Sequence, residues 1–110
     1  MIIISKQELQ ECLAFGEIVR VVEEAFKAYS SGWVMMPVPL SYLFEDGSGE
    51  ICVKTAVSLD LPTYTVKQVS VMPANVSCGL PALNATMNVY ERKTWKLLAV
   101  IDEEGYLTNL

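Results

Sequence analysis

Apolar residues at Ile18, Val21, Val22, Ala25, Phe26 and Tyr29 recur at the spacing of one helical face, with Arg20, Glu23, Glu24 and Lys27 on the other. Ser30-Ser31-Gly32 ends that run, Gly32 suiting the position just past a helix end. A shorter helix is predicted ahead of it, from about Lys6 to Leu13. Ser5 followed by Glu8 fits a capping box there, in which each side chain satisfies a free amide of the first turn. Gly16 reads as the break between the two helices.

From Trp33 onward the period changes to two. Residues 33–44 read as an extended stretch at a sheet edge, since Pro37 and Pro39 lack amide donors. Asp46-Gly47-Ser48-Gly49 marks a turn, and Ile51, Val53, Thr55 and Val57 alternate along a returning strand. Leu61-Pro62 leads to a strand over 63–71, with Thr65, Lys67, Val69 and Val71 on one face and Tyr64, Val66, Gln68 and Ser70 on the other. A turn-rich loop runs from Pro73 to Pro81. Further strands at about 82–90 and 95–101 meet at Arg92-Lys93, and a turn at Asp102 to Gly105 precedes a few extended residues. The pattern predicts one α+β domain over residues 1–110, with two N-terminal helices followed by about five mostly antiparallel strands.

Composition narrows the function classes. Hydrophobic residues make up 52% of the chain and charged ones 19%, which is enough apolar material for a core. A net charge of −5, with scattered arginines at Arg20 and Arg92, argues against nucleic-acid and anionic-membrane partners. No apolar run has the length of a membrane span, and Met1-Ile2-Ile3-Ile4 lacks the build of a signal peptide, so a cytoplasmic protein is expected. Cys12, Cys52 and Cys78 have no metal-ligand spacing and the chain has no histidine, so no metal site is expected. The thiols read as reduced and mostly buried.

The same inventory excludes a histidine-assisted serine or cysteine nucleophile. Gly47-Ser48-Gly49 begins like a dinucleotide fingerprint, but Cys52 holds the third glycine position and a strand follows instead of a helix, so a hairpin turn is the better reading. Asp102-Glu103-Glu104 lacks the oxygen-ligand spacing of a calcium loop and reads as a solvated turn. Lys67 stands out, because a lysine in mid-strand beside Val69 and Val71 can hold an anionic group or act as an acid or base. Taken alone it reads as a surface lysine whose stem reaches water.

Several stretches, in order along nearly the whole chain, resemble the ornithine cyclodeaminase/mu-crystallin family. Glu24-Ala25-Phe26-Lys27-Ala28-Tyr29-Ser30-Ser31-Gly32 is similar to its early helix. Lys67-Gln68-Val69-Ser70-Val71-Met72-Pro73-Ala74-Asn75 and Gly79-Leu80-Pro81 resemble its lysine strand and the loop after it. Leu98-Ala99-Val100-Ile101-Asp102 and Leu107-Thr108 resemble the segment ahead of its Arg-Thr motif.

The resemblance implies a substrate-binding and dimer-forming domain like residues 1–110, working in the family beside a Rossmann domain that binds NAD(H) or NADP(H). The family oxidises or reduces carbon–nitrogen bonds of amino and imino acids. It implies that Lys67 holds substrate and shares in proton transfer, and that Asn75 belongs to the substrate site. Pro39 stands where the family often carries a carboxylate-gripping arginine, the Arg-Thr pair would follow Thr108, and no Rossmann unit is expected within the 110 residues.

The reading preferred from sequence is a free-standing domain of this type. It would be a homo-oligomer, most simply a dimer, binding a small carboxylate, with no catalytic residue or cofactor of its own. The alternative is the N-terminal part of a complete NAD(P)-dependent oxidoreductase or cyclodeaminase. A third reading, from a different class, is a lyase working through a Schiff base on Lys67.

Overall fold

A computed structural model describes residues 1–110. The first strand, β1 (Ile2–Ser5), precedes both helices and was not expected from sequence. It pairs in parallel with the last strand, β7 (Leu97–Asp102), with Ile2 opposite Ala99 and Ser5 opposite Asp102. Ser5 ends the strand and caps α1 (Lys6–Cys12) at once. Its hydroxyl accepts from the Glu8 amide at 3.2 Å, and its own amide donates to Glu8 Oε2 at 2.8 Å. Leu9 of this helix is buried.

The helical break falls at Leu13–Ala14, two residues ahead of the one expected, and Gly16 lies inside the first turn of α2 (Phe15–Ser30). A first-turn residue has no intrahelical partner for its amide, so the helix can begin across a glycine at little cost. The end at Ser30–Gly32 is as expected.

Residues 33–44 divide into β2 (Val34–Met35) and β3 (Leu40–Leu43), which share one edge of β4 (Glu50–Ser58), while Pro37 and Pro39 lie between them outside the ladder. β5 (Thr63–Val71) and β6 (Leu83–Glu91) continue the antiparallel ladder into β7. The seven-stranded sheet runs β1-β7-β6-β5-β4-β2, with β3 also on β4. A 3₁₀ helix (Pro73–Cys78) occupies the loop after β5, and the terminal residues form a short helix, α3 (Tyr106–Asn109), where extended chain was expected. The α+β class stands, with a sheet larger than the sequence suggested.

Thr63, Thr65, Lys67, Val69 and Val71 share one sheet face with Cys52, Lys54 and Ala56 of β4 and with Ala85, Met87 and Val89 of β6. α2 overhangs the β4–β5 end of this face without seating on it. The gap is an open cavity of about 790 Å³ lined by Val21, Ala25 and Phe26 against Ala56, Thr63 and Thr65. The predicted apolar stripe of α2 is therefore real but uncovered, with Phe26 69% exposed.

Only Leu9, Ala85, Ala99, Glu103 and Gly105 are buried. The accessible surface is 7888 Å², where a folded monomer of 12.2 kDa exposes about 6,100 Å². A radius of gyration of 15.3 Å against about 13 Å for a compact domain of this length agrees. Of the cysteines, Cys12 and Cys78 are exposed and Cys52 half-buried, all of them free, so the expectation of mostly buried thiols fails with the thin core. No helix is long and apolar enough to cross a membrane.

Candidate functional site

Strand alternation puts Lys67 on the helix-bearing face, directly between Lys54 of β4 and Met87 of β6. Its side chain is 19% exposed. The ammonium lies 2.9 Å from Glu103 Oε1 and donates to Thr108 Oγ1 at 3.1 Å. Lys67 is thus a tethered, partly desolvated group, and not the free surface lysine that its isolated reading suggested.

Glu103 corrects the sequence analysis. Its turn was expected to be solvated, but its side chain is 0% exposed. The turn folds back over β6: the amides of Glu103 and Glu104 both donate to the Ala85 carbonyl, each at 3.2 Å. Glu103 Oε2 accepts from the Leu107 amide at 2.5 Å. Oε1 has no well-angled hydrogen bond, so charge attraction to Lys67 is what holds it. An isolated carboxylate would not stay in such a place, since burying an unpaired charge is far costlier than burying a neutral group.

The backbone makes the inversion possible. Glu104 and Gly105 take successive left-handed conformations, at φ 52° and 84°. A Cβ on Gly105 would lie 3.0 Å from Leu83 Cγ, so glycine meets both the angle and the space there. One signal in the sequence points to Glu103: Ala99, Ile101 and Glu103 continue a single inward alternation, which runs one step past the end of β7.

Lys54 was also missed. It faces Lys67 across the β4–β5 ladder and is exposed. Like charges placed opposite each other disfavour the pairing, and Glu103 offsets that for Lys67 alone. The face therefore presents two ammonium groups, Lys67 against the buried Glu103 and Lys54 near enough to the Glu50 carboxylate to favour its charged form.

Asn75 sits in the 3₁₀ helix and works as a clasp. Its side-chain nitrogen donates to the Pro81 carbonyl at 3.2 Å, and its main-chain oxygen accepts from the Leu80 amide at 2.9 Å. No hydrogen bond joins it to Lys67. A separate polar group lies at the β3–β4 edge, where the Cys52 thiol and the Ser41 hydroxyl donate to Glu50 Oε1 at 2.9 and 3.0 Å. Those bonds, the thiol's first, hold the Glu50 carboxyl below the usual carboxylate range.

The Gly47-Ser48-Gly49 turn does not form a coenzyme pyrophosphate site. The Gly47 and Ser48 amides are used within their own turn, on the Phe44 carbonyl and on Asp46 Oδ1. Gly49 is needed for a close approach, since a Cβ there would lie 2.4 Å from the Val71 carbonyl oxygen. A strand follows, so no helix N-terminus aims its amides at a phosphate.

Comparison with known proteins adds to this geometry. The model of the ornithine cyclodeaminase/mu-crystallin family matches residues 1–110. Alanine dehydrogenase of Archaeoglobus fulgidus is 32% identical over 99% of this chain and 32% of its own length. The solved structure of Thermococcus litoralis Δ1-pyrroline-2-carboxylate reductase, in complex with NADH and L-proline, superposes with a TM-score of 0.90 at 28% identity, over 99% of this chain and 33% of that one. An archaeal alanine dehydrogenase dimer with bound NAD also gives 0.90, at 30% identity, over 98% of this chain and 32% of the other. The chain spans about a third of the length of the curated relatives it matches.

Proposed function

The chain belongs to the ornithine cyclodeaminase/mu-crystallin family, and on that footing we propose that it forms the substrate-side, dimer-forming part of an NAD(P)-dependent amino or imino acid oxidoreductase or cyclodeaminase. This displaces the free-standing module preferred from sequence. The observation that carries it is coverage: the fold matches over nearly the whole chain in reductases and dehydrogenases about three times longer.

In this proposal Lys67 grips the carboxylate of the amino or imino acid, with Lys54 adding charge beside it. Thr108 takes one directed hydrogen bond from the ammonium and Glu103 holds it by charge, which leaves N–H groups for the guest. Asn75 fixes the loop at the end of β5, its side-chain oxygen still open to a guest. Bound coenzyme would supply the hydride, and its diphosphate would be received outside these residues. The resemblance puts an Arg-Thr pair shortly after Thr108, whose hydroxyl already accepts from Lys67. Two-fold self-association belongs to the proposal, supported by the excess apolar surface. A cytoplasmic setting belongs to it as well, supported by the three free thiols.

Sequencing the gene past the codon for Leu110 tests the reading. An Arg-Thr pair followed by a glycine-rich strand–turn–helix supports it. A stop codon at that point favours the free-standing module instead.

A further inference from the structure

We propose that Glu103 is the positioning residue of Lys67: a sequestered counter-ion that fixes the ammonium at one point of the sheet face and leaves its unused N–H groups turned toward the guest. The proposal rests on the reading of Lys67 as a carboxylate grip and specifies how that grip is built.

Three observations carry it. Glu103 has no exposure at all while Lys67 keeps 19%, so the carboxylate cannot itself be the ligand-facing group and the ammonium can. Glu103 is immobilised from both ends. Its main-chain amide is held by the Ala85 carbonyl and its Oε2 by the Leu107 amide, so the charge that Lys67 meets has a set position. Thr108 supplies a second fixed partner and takes the one directed hydrogen bond that the ammonium makes here. A lysine stem has many rotamers in water, and losing that freedom before the guest arrives lowers the cost of binding it. The turn residues Glu104 and Gly105 thus acquire a purpose, since their left-handed backbone is what brings the carboxylate inward.

The test uses the complete product of the gene, labelled with ¹⁵N on its lysines, and reads ammonium ¹H–¹⁵N cross-peaks. Ammonium groups in free contact with water exchange too fast to give one. Lys67, assigned through its side-chain carbons, should give a protected cross-peak in the unaltered protein. Glu103→Gln should speed its exchange by about tenfold or more, the weight of one buried charged partner. Glu103→Asp should restore much of the protection, which a merely structural role for residue 103 would not require. A Lys67 ammonium with no protection in the unaltered protein overturns the proposal without any variant. Unchanged protection in a folded Glu103→Gln protein overturns it as well. If that variant loses its folded amide spectrum, Thr108→Val is read in its place: faster exchange supports the tether, and no change counts against it. L-Proline, added last, separates the two claims. A protected cross-peak that shifts on addition supports both, whereas a protected cross-peak that ignores L-proline keeps the tether and refutes the carboxylate grip.

Discussion

Replacing Lys67 by methionine removes the only cation within ion-pair distance of a carboxylate that has no access to water. Left with one protein hydrogen bond, from the Leu107 amide, the Glu103 carboxylate becomes an unpaired buried charge, and such losses cost about 3–5 kcal/mol. Glu103→Gln is the gentler change. Its side-chain oxygen can still accept from Leu107, and the ammonium, 19% exposed, can turn toward water, so about 1–3 kcal/mol is expected. The two single variants should therefore differ by about 2 kcal/mol, or about 10 °C in Tm for a chain of this size. The double variant buries no charge, so it should be no less stable than Lys67→Met alone, giving a coupling of about 1–3 kcal/mol. Thermal and urea unfolding followed by far-ultraviolet circular dichroism measure all four proteins. Equal losses in the two single variants, or a double variant that loses their sum, would refute the view that Lys67 neutralises a water-excluded carboxylate.

Three other perturbations probe separate parts of the structure. Gly105→Ala should cost about 1–2 kcal/mol from its left-handed backbone alone, at φ 84°, and more from crowding Leu83; a urea midpoint equal to that of the unaltered protein would oppose this. The Glu8 carboxyl is held below the ordinary glutamate range, first by the Ser5 amide and then by its hydroxyl. The folded state thus binds that proton less tightly than the unfolded one. The capping contribution should be fully present above the ordinary glutamate range and lost as pH falls through the lowered folded value. The gap in urea midpoint between the unaltered protein and Glu8→Ala should accordingly be constant at neutral pH and close in acid, and a gap independent of pH would count against the cap. On the proposed carboxylate grip, Lys54→Met should weaken binding of a small amino acid carboxylate about two- to five-fold, the worth of an exposed charge contact, with the effect shrinking at high salt. Titration calorimetry at two salt concentrations reads both features.

The parts of the fold that sequence made legible are those fixed by neighbours in the chain. Ser5 and Glu8 form their box three residues apart, α2 follows its own periodicity, and β5 occupies 63–71 as alternation required. β1 was not legible because its partner is β7, more than ninety residues away, and nothing local in Ile2–Ile4 distinguishes a paired edge strand from a frayed start. The same reason hides α2's failure to seat, since an apolar stripe states what a helix can bury and not whether a surface is there to receive it. At the site, Lys67 was legible as an oddity in a strand, and resemblance gave it a role. Glu103 was passed over, because three acidic residues in a turn are ordinarily hydrated and the alternation from Ala99 and Ile101 is a weak signal beside that. The decisive feature was a left-handed pair, Glu104 and Gly105, whose effect on the preceding side chain appears only when the turn is folded against Ala85. Resemblance suggested Asn75 for the substrate site, and what sequence did not show is the local clasp that its amide nitrogen makes on the Pro81 carbonyl.

The surplus of exposed surface bears on what must surround this domain. It exceeds that of a self-contained monomer by about 1,800 Å², whereas a two-fold interface of ordinary size hides about 800 Å² on each partner. Self-association through one face would thus leave about half of the surplus uncovered. Geometry points the same way. The cavity under α2 opens on the face that carries Lys67, while Leu40 and Tyr42 of β3 stand exposed on the opposite face. One flat partner cannot reach both sides of a sheet. A free-standing dimer would therefore keep an apolar cavity of about 790 Å³ open to water, where an enzyme subunit could fill it with its own later residues. Hydrophobic dye binding separates these cases. The 110-residue chain should be dimeric and still bind a dye such as anilinonaphthalene sulfonate, and the complete gene product should not. A dimer of the 110-residue chain that binds no dye would mean that two copies suffice to cover the domain, and the free-standing reading would regain its place.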